Sequence, residues 1–189
     1  MKPKVVLRKL RIRVSSLLFS WTRGKNFEFG RRLTLIEGRW PIIDNKGKIR
    51  IGSNSYIRTL TIPPTITVFE NAALELGHDT YINNGVNICA STSIVIGNNV
   101  RIADMVYIYD TDFHATTPQT IAKKEAVKIG DNVWIGANSM ILAGATIGRH
   151  SVIGAGSIVT GEIPPKCVAV GRPAIVIRTF EAPDDWVRP

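Results

Sequence analysis

The sequence predicts an all-β solenoid built from short strands and tight turns. β-Branched aliphatic residues recur at every sixth position from Ile129 to Val159, and glycine follows most of them. Segments such as 97–99, 130–132 and 136–138 combine glycine with asparagine, and both residue types tolerate the positive φ of a tight turn. A helix does not produce this pattern, because its apolar face recurs at steps of three and four. Three six-residue units therefore close one triangular coil, and stacked coils bury columns of aliphatic side chains.

The six-residue step also runs upstream, with two interruptions. The aliphatic residues that keep it there are Leu76, Ile82, Ile88, Ile96, Ile102 and Ile108. Eight residues separate Ile88 from Ile96, and 21 separate Ile108 from Ile129. The polar stretch 109–126 fills the second gap and is predicted to leave the coil as an excursion loop. We therefore expect a β-helix domain over residues 41–165 and a C-terminal tail over 166–189.

The net positive charge of the chain comes entirely from the N-terminal segment. The chain has 189 residues and a formal net charge of +9, from 24 basic and 15 acidic side chains. Residues 1–40 hold eleven bases and two acids, whereas residues 41–189 hold 13 of each. A neutral body argues against a protein that coats nucleic acid.

Residues 4–21 within this basic segment predict an amphipathic helix. Their apolar residues recur at steps of three and four, and basic residues occupy another face. A basic face opposite Leu, Phe and Trp is typical of a helix at a membrane surface, and packing on a neighbouring subunit is the alternative. The chain has no apolar stretch of about 20 residues and no signal-peptide cleavage site, which predicts a cytoplasmic protein with peripheral contact at the inner membrane surface.

Several C-terminal runs resemble the hexapeptide-repeat acyltransferases, which include the maltose, galactoside and polysaccharide O-acetyltransferases. These runs are 133–148 (VWIGANSMILAGATIG), 152–160 (VIGAGSIVT), 163–165 (IPP) and 170–174 (VGRPA). The resemblance covers about residues 45–180. It implies a left-handed parallel β-helix, an exception to the usual right-handed crossover. It also implies a homotrimer with active sites between neighbouring subunits and acetyl-CoA as the acyl donor.

The resemblance implies two residues for the chemistry, and the excursion loop offers a third beside the histidine. His114, on the excursion, matches the family's loop histidine, and imidazole with a pKa near 6.5 can take a hydroxyl proton at neutral pH. A surface histidine is the alternative. Asp112 is the preferred carboxylate to orient it, ahead of Asp110, although either could simply cap the loop. Asn83 matches the family's asparagine beside the acceptor sugar, and a corner residue with positive φ is the alternative.

The donor site is implied by the same resemblance. The backbone amide of Ala137 corresponds to the oxyanion donor, and Ala137 and Ala155 to pantetheine contacts. Thr160 and Arg178 would lie nearer the nucleotide. Trp134 would line the site or, alternatively, stabilise the trimer.

The sequence departs from the family in the nucleotide region. Gly161 occupies a position where relatives often have lysine, and Ile175 one where some have arginine. Arg172 or Lys166 could supply the missing positive charge near a phosphate.

A metal site is not expected. His78 and His114 are 36 residues apart, a spacing that resembles the zinc ligands of γ-class carbonic anhydrases. Those enzymes add another histidine where Gln119 stands here, and the period predicts that His150 faces outward. Cys89 and Cys167 have no zinc or disulfide spacing.

The predicted function is acetyl-CoA-dependent O-acetylation of a saccharide hydroxyl, on a cell-surface polysaccharide or a lipid-linked glycan precursor. Two alternatives remain open. One is N-acetylation of an amino sugar or antibiotic-type acceptor, and the other is a non-catalytic solenoid scaffold tethered to a membrane. Nucleic acid is not an expected partner.

Overall fold

The computed structural model describes residues 26–31 and 33–188, and this part of the chain contains strands and turns without a helix. The helix predicted over residues 4–21 lies outside the described residues. The strands are β1 (Phe27–Phe29), β2 (Thr34–Gly38), β3 (Ile42–Asn45), β4 (Lys48–Ile51), β5 (Tyr56–Thr59), β6 (Thr65–Val68), β7 (Ala73–Leu76), β8 (Tyr81–Ile82), β9 (Asn87–Ala90), β10 (Ser93–Ile96), β11 (Arg101–Ile102), β12 (Tyr107–Tyr109), β13 (Val127–Ile129), β14 (Trp134–Ile135), β15 (Met140–Ile141), β16 (Thr146–Ile147), β17 (Val152–Ile153), β18 (Ile158–Val159), β19 (Glu162–Ile163), β20 (Cys167–Gly171) and β21 (Ala174–Thr179).

Every third strand joins the same sheet, so the coils stack into a three-faced prism. Face A has the order β1-β4-β7-β10-β13-β16-β19, and face C has the order β3-β6-β9-β12-β15-β18. Face B has the order β2-β5-β8-β11-β14-β17-β20-β21, in which the last pair is antiparallel and the others are parallel. The predicted parallel β-helix is confirmed. We call the three corners the AB, BC and CA edges, after the faces that they join.

The inward aliphatics form the predicted columns. Ile82, Ile102, Ile135 and Ile153 lie in register on neighbouring strands of face B, and all four are buried. Full burial of one such side chain is worth about 1.5–3 kcal/mol. The solenoid is therefore held together mainly by these columns and by the ladder hydrogen bonds between coils.

The solenoid extends beyond both predicted limits. Strands β1 and β2 precede residue 41, the predicted start, and Phe27, Leu33 and Leu35 are buried in the same core. At the other end, Cys167 and Ala169 of β20 continue the core of face B into the predicted tail. Strands β1 and β2 of the basic N-terminal segment therefore belong to the solenoid, although their apolar residues do not keep the six-residue step.

The edges use the expected residues with positive φ. Asn99, Asn132 and Asn138 adopt this conformation, which confirms the glycine–asparagine segments as turns. On the BC edge the column with positive φ also includes Gly85, Met105 and Gly156. Asn83 is not among the positive-φ residues, so it does not serve the corner role that was its alternative.

Candidate active site

The excursion leaves the solenoid at the CA edge, between β12 and β13. A bridge between Thr111 and Lys124 closes its base. The Glu125 amide donates to the Asp110 carbonyl at 3.0 Å, and the Asp112 amide donates to the Lys123 carbonyl at 3.0 Å. The loop is therefore a narrow arm with a defined root.

Asp110 anchors this root to the solenoid. Its fully buried carboxylate accepts hydrogen bonds from the Ser91 amide at 2.6 Å, the Thr92 amide at 2.7 Å and the Thr92 hydroxyl at 2.9 Å. Ser91 and Thr92 form the turn between β9 and β10, one coil below. These three hydrogen bonds occupy the Asp110 carboxylate and hold the arm in place.

His114 lies on the exposed part of the arm, where its backbone amide donates to the Asp112 carbonyl at 2.7 Å. Phe113 has φ of 62° and packs edge-to-face on Tyr109, with ring centroids 5.7 Å apart. This ring contact joins the 112–114 turn to Tyr109 of β12, and His114 itself is exposed. Within the described residues, neither the His114 ring nor the Asp112 carboxylate forms a hydrogen bond, so the orienting role of Asp112 stays a prediction.

Asn83 lies on the BC edge, where its amide group is held in one orientation. Its Oδ1 accepts from the amide and side-chain nitrogens of Asn84 at 3.0 and 3.1 Å. The Asn84 side chain in turn donates to Asp104 Oδ1 at 3.0 Å. The Asn83 Nδ2 group has no acceptor among the described residues, so it can donate to a ligand outside the coil.

Ala137 lies on the same edge, two coils above Asn83, with an open backbone donor. Its carbonyl accepts from the Gly156 amide at 2.8 Å, but its own N–H meets no acceptor in the described part of the chain. A Cβ on Gly136 would lie 2.5 Å from the nitrogen of Ala155, so the coils approach closely here because glycine lacks a side chain. The result is a narrow edge of small residues beside a free N–H.

Trp134 projects from face B and is 45% exposed. The guanidinium of Arg188 lies 6.0 Å from the Trp134 ring centroid and 4.8 Å from that of Trp186. Burial, and secondarily the charge of Arg101, lower the pKa of Arg188. The C-terminal segment thus folds back beside Trp134, a feature that no local pattern in the sequence indicates.

The remaining donor-site candidates are spread over two edges and the C-terminal hairpin. Thr160 is exposed on the CA edge, and Arg178 is exposed on β21. Arg172 Nε donates to the Gly156 carbonyl at 2.6 Å, which brings its guanidinium to the BC edge. Lys166 instead pairs with Asp184 at 3.1 Å.

His150 is buried, which corrects the outward placement expected from the period. It is 3% exposed, and its Nδ1 lies 2.8 Å from Asn132 Nδ2. The orientation of the Asn132 amide is set by two backbone groups, because Nδ2 also donates to the Trp186 carbonyl at 2.9 Å and Oδ1 accepts from the Arg188 amide at 2.7 Å. His150 Nδ1 must therefore be the acceptor, and the ring is neutral in this arrangement.

The surroundings of His150 agree with a neutral ring. Burial lowers its pKa, the charges of Arg149 and Lys166 lower it further, and Asp184 opposes them. The Trp186 ring covers it, with centroids 5.8 Å apart. The period failed here because the covering residues come from the C-terminal end of the chain.

The described residues contain neither a metal-binding cluster nor a membrane-spanning helix. The described residues contain no cluster of three or more His, Cys, Asp or Glu side chains able to hold a metal. His78 pairs with the neighbouring Asp79 at 2.6 Å. No helix in the described ranges has the length and apolar character needed to cross a bilayer.

The predicted catalytic residues do not meet within one chain. His114 and Asp112 leave from the CA edge, whereas Asn83 and Ala137 lie on the BC edge, and the whole of face C separates the two edges. A single prism therefore holds the candidate residues on two separate edges.

Comparison with known proteins shows the family of this chain. Residues 126–161 match the family described as bacterial transferase hexapeptide (six repeats). The chain is 32% identical to the galactoside O-acetyltransferase of Escherichia coli strain K12, over 92% of this chain and 81% of that protein. The chain belongs to the hexapeptide-repeat acetyltransferases. This hexapeptide-repeat acetyltransferase is also 37% identical to the galactoside O-acetyltransferase of Lactococcus lactis, over 71% of this chain and 64% of that protein.

Solved structures of the family have the same architecture. The crystal structure of the polySia-specific acetyltransferase NeuO superposes with a TM-score of 0.62 at 27% identity, over 85% of this chain and 87% of that one. The acetyltransferase VCA0836 of Vibrio cholerae, solved with acetyl coenzyme A, has a TM-score of 0.57 at 20% identity, over 96% of this chain and 91% of that one, and supports the fold alone. The predicted family and enzyme class are confirmed.

Proposed function

We propose that this chain transfers the acetyl group of acetyl-CoA to a saccharide hydroxyl, in a site formed between two copies of the chain. The similarity to galactoside O-acetyltransferases supports O-acetylation of a sugar. The observation that carries the proposal is the placement of the donors and the base. A free Nδ2 group and a free N–H lie on one edge, and an exposed imidazole lies on the other.

The two halves form one site if the CA edge of one copy meets the BC edge of the next. Such a contact joins different surfaces of the same chain, and heterologous contacts of this kind close into rings. Three prisms arranged in this way turn face C toward the axis and leave faces A and B outside. The outward residues support this arrangement, because those of face A include Arg50, Glu75 and Lys128, whereas those of face C from β6 to β18 are uncharged.

The chemistry then follows from four groups. His114 takes the proton of the acceptor hydroxyl as its oxygen bonds to the acetyl carbonyl carbon. The Ala137 amide donates to the carbonyl oxygen, where negative charge develops. His114 returns the proton to sulfur as the C–S bond of the thioester breaks, so the products are an acetyl ester and a free thiol. Asn83 holds the acceptor through its free Nδ2 group, and Asp112 orients the His114 ring.

The acetyl donor has contacts from both copies in this arrangement. Ala137, Ala155 and Arg172 lie on the BC edge of one copy, with Trp134 beside them on face B. Thr160 lies on the CA edge of the neighbour. The guanidinium groups of Arg172 and the exposed Arg178 suit phosphate oxygens, which accept charge-assisted hydrogen bonds.

Thiol release tests the proposal. Purified protein is mixed with acetyl-CoA and a panel of galactosides, oligosaccharides, polysaccharides and amino sugars, and free thiol is followed over time. His114→Ala should lower kcat by about 10²–10⁴-fold, the usual contribution of a general base. His78→Ala is the matched control, because His78 is also exposed but lies on the AB edge. Unchanged transfer by His114→Ala would show that His114 is not the general base. Transfer confined to amino sugars would indicate N-acetylation.

We also propose that residues 4–21, which lie outside the described residues, hold the enzyme at an anionic membrane surface. Each base near such a surface contributes about 1 kcal/mol. Deletion of residues 1–22 should reduce binding to anionic vesicles at low salt without loss of transferase activity, and unchanged binding would contradict the role.

A further inference from the structure

The outward side of face B carries a stripe of aromatic and cationic side chains. Tyr56, Tyr81, Arg101 and Trp134 lie in register on the consecutive strands β5, β8, β11 and β14. Neighbouring strands are about 4.8 Å apart, so each residue is one coil above the last. Tyr56 is 39% exposed, and its ring stacks on Tyr81 with centroids 6.2 Å apart and an interplanar angle of 27°. We call these four residues the face-B stripe.

Arg101 joins the two aromatic parts of the stripe. Its strand lies between those of Tyr81 and Trp134, and its Nη1 donates to the Asp79 carbonyl at 2.7 Å. Arg101 forms no ion pair with any residue that the structure describes, and its other N–H groups have no acceptor there. They remain available to oxygen atoms of a ligand.

The stripe leads directly to the proposed acceptor site. Asn83 follows β8 directly, so it lies on the BC edge in the same coil as Tyr81. At the level of Trp134, Ala137 follows on the BC edge. In the ring of copies described above, face C is turned inward and face B borders the cleft between copies. The stripe is therefore exposed along the cleft in which acetyl transfer would take place.

We propose that the face-B stripe binds the acceptor as a saccharide chain, with the reacting sugar at Asn83 and adjoining sugars along Tyr56, Tyr81 and Arg101. This inference rests on the proposed function and extends it from a single sugar to an oligosaccharide or polysaccharide. Aromatic rings present flat faces with negative quadrupoles to the C–H groups of a sugar ring. The Arg101 donors suit sugar hydroxyl or carboxylate oxygens. The spacing of one coil is close to the length of one pyranose unit, so successive side chains can contact successive sugars.

Acceptor length provides the test. Initial rates of thiol release are measured with a monosaccharide acceptor and with oligosaccharides of the same sugar of increasing length. In the unmodified enzyme, KM should fall as the chain lengthens. Tyr56→Ala should raise KM for the longer acceptors about tenfold, equivalent to about 1.4 kcal/mol, with kcat and the monosaccharide KM unchanged. Tyr56→Phe is the matched control, because it keeps the ring and should keep KM within about twofold.

The outcomes separate this inference from the proposed function. If the unmodified enzyme gains nothing from acceptor length, or if Tyr56→Ala changes all acceptors equally, the stripe does not bind a chain and O-acetylation still stands. If no saccharide of any length supports thiol release, the proposed function fails and the stripe with it. Thermal melting of both Tyr56 variants shows whether they are folded, and calorimetric titration with an oligosaccharide checks the loss of affinity independently of turnover.

Discussion

Two inactive variants should restore activity when they are mixed, because the proposed site joins different edges of neighbouring copies. His114→Ala removes the base from the CA edge, and Asn83→Ala removes the acceptor contact from the BC edge. In a ring, each site takes one edge from each of two neighbours. With equal amounts and random assembly, half of the CA edges and half of the BC edges are intact. About one quarter of the sites should therefore have both residues, and activity should reach about one quarter of the unmodified value.

The assay compares thiol release per chain before and after mixing. The two variants are denatured and refolded together, and the unmodified protein is taken through the same steps. The control mixture is His114→Ala with Asp112→Ala, whose lesions share the CA edge, so no site in it regains both residues. Activity no higher than the mean of the separate variants would show that one chain supplies both edges, and recovery by the control mixture would be equally damaging to the proposed geometry.

Three further predictions concern stability. Asp110→Asn should lower the free energy of unfolding by about 3 kcal/mol, since an amide nitrogen replaces one buried acceptor of backbone N–H groups, whereas the exposed Asp112→Asn should change it by less than about 0.5 kcal/mol in urea titrations. Burial lowers the pKa of His150 below its unfolded value near 6.5. Below pH 6.5 the unfolded chain therefore binds more protons than the folded chain, and the free energy of unfolding should fall as the pH falls. If the melting temperature of His150→Asn depends on pH as strongly as that of the unmodified protein, this prediction is contradicted. Gly136→Ala should destabilise the protein by about 1–3 kcal/mol, because its Cβ would lie 2.5 Å from a backbone nitrogen of the next coil, while Gly161→Ala, with nothing within 4 Å, should be tolerated; equal melting temperatures would refute the close approach.

The fold could be predicted because its signal is local and repeated. Each inward aliphatic, such as Ile135 or Ile153, is followed six residues later by its counterpart on the next strand, so the period alone indicates coils and their inward columns. The first and last residues of the solenoid were harder to predict. Leu33 and Leu35 pack into the core, but the segments around them do not keep the step of six. The sequence therefore gives no periodic signal that these residues are buried.

The buried state of His150 shows a second kind of limit. The period places it at a corner, and corners are exposed unless something covers them. Trp186 and Arg188 supply that cover through contacts across 36 and 38 residues of sequence. A six-residue pattern reports the phase of a residue within its own coil and carries no information about a segment that returns from elsewhere.

The resemblance implied candidate residues and a site between subunits, but it did not say which edge of the coil each residue occupies. The resemblance identified Asn83 and His114 as separate matches. The position of each residue within its coil indicates the edge, since Asn83 follows Ile82 on face B and the excursion follows Ile108 on face C. Phase and the two matches, taken together, are enough to assign these residues to different corners of the coil.

The solenoid separates the residues that stabilise it from those that contact ligands. Inward columns are nearly identical from coil to coil, and a change there leaves a cavity that costs several kcal/mol. Outward positions such as Tyr56 and Arg101 lie outside the buried core, and surface substitutions usually cost less than about 0.5 kcal/mol. If the face-B stripe binds the acceptor, acceptor preference can change there while the columns and the Asp110 anchor keep the edges, and hence the proposed catalytic groups, in place. On this reasoning, exchanging the outward residues of β5 and β11 between relatives should transfer acceptor preference without loss of folding or of His114-dependent acetyl transfer.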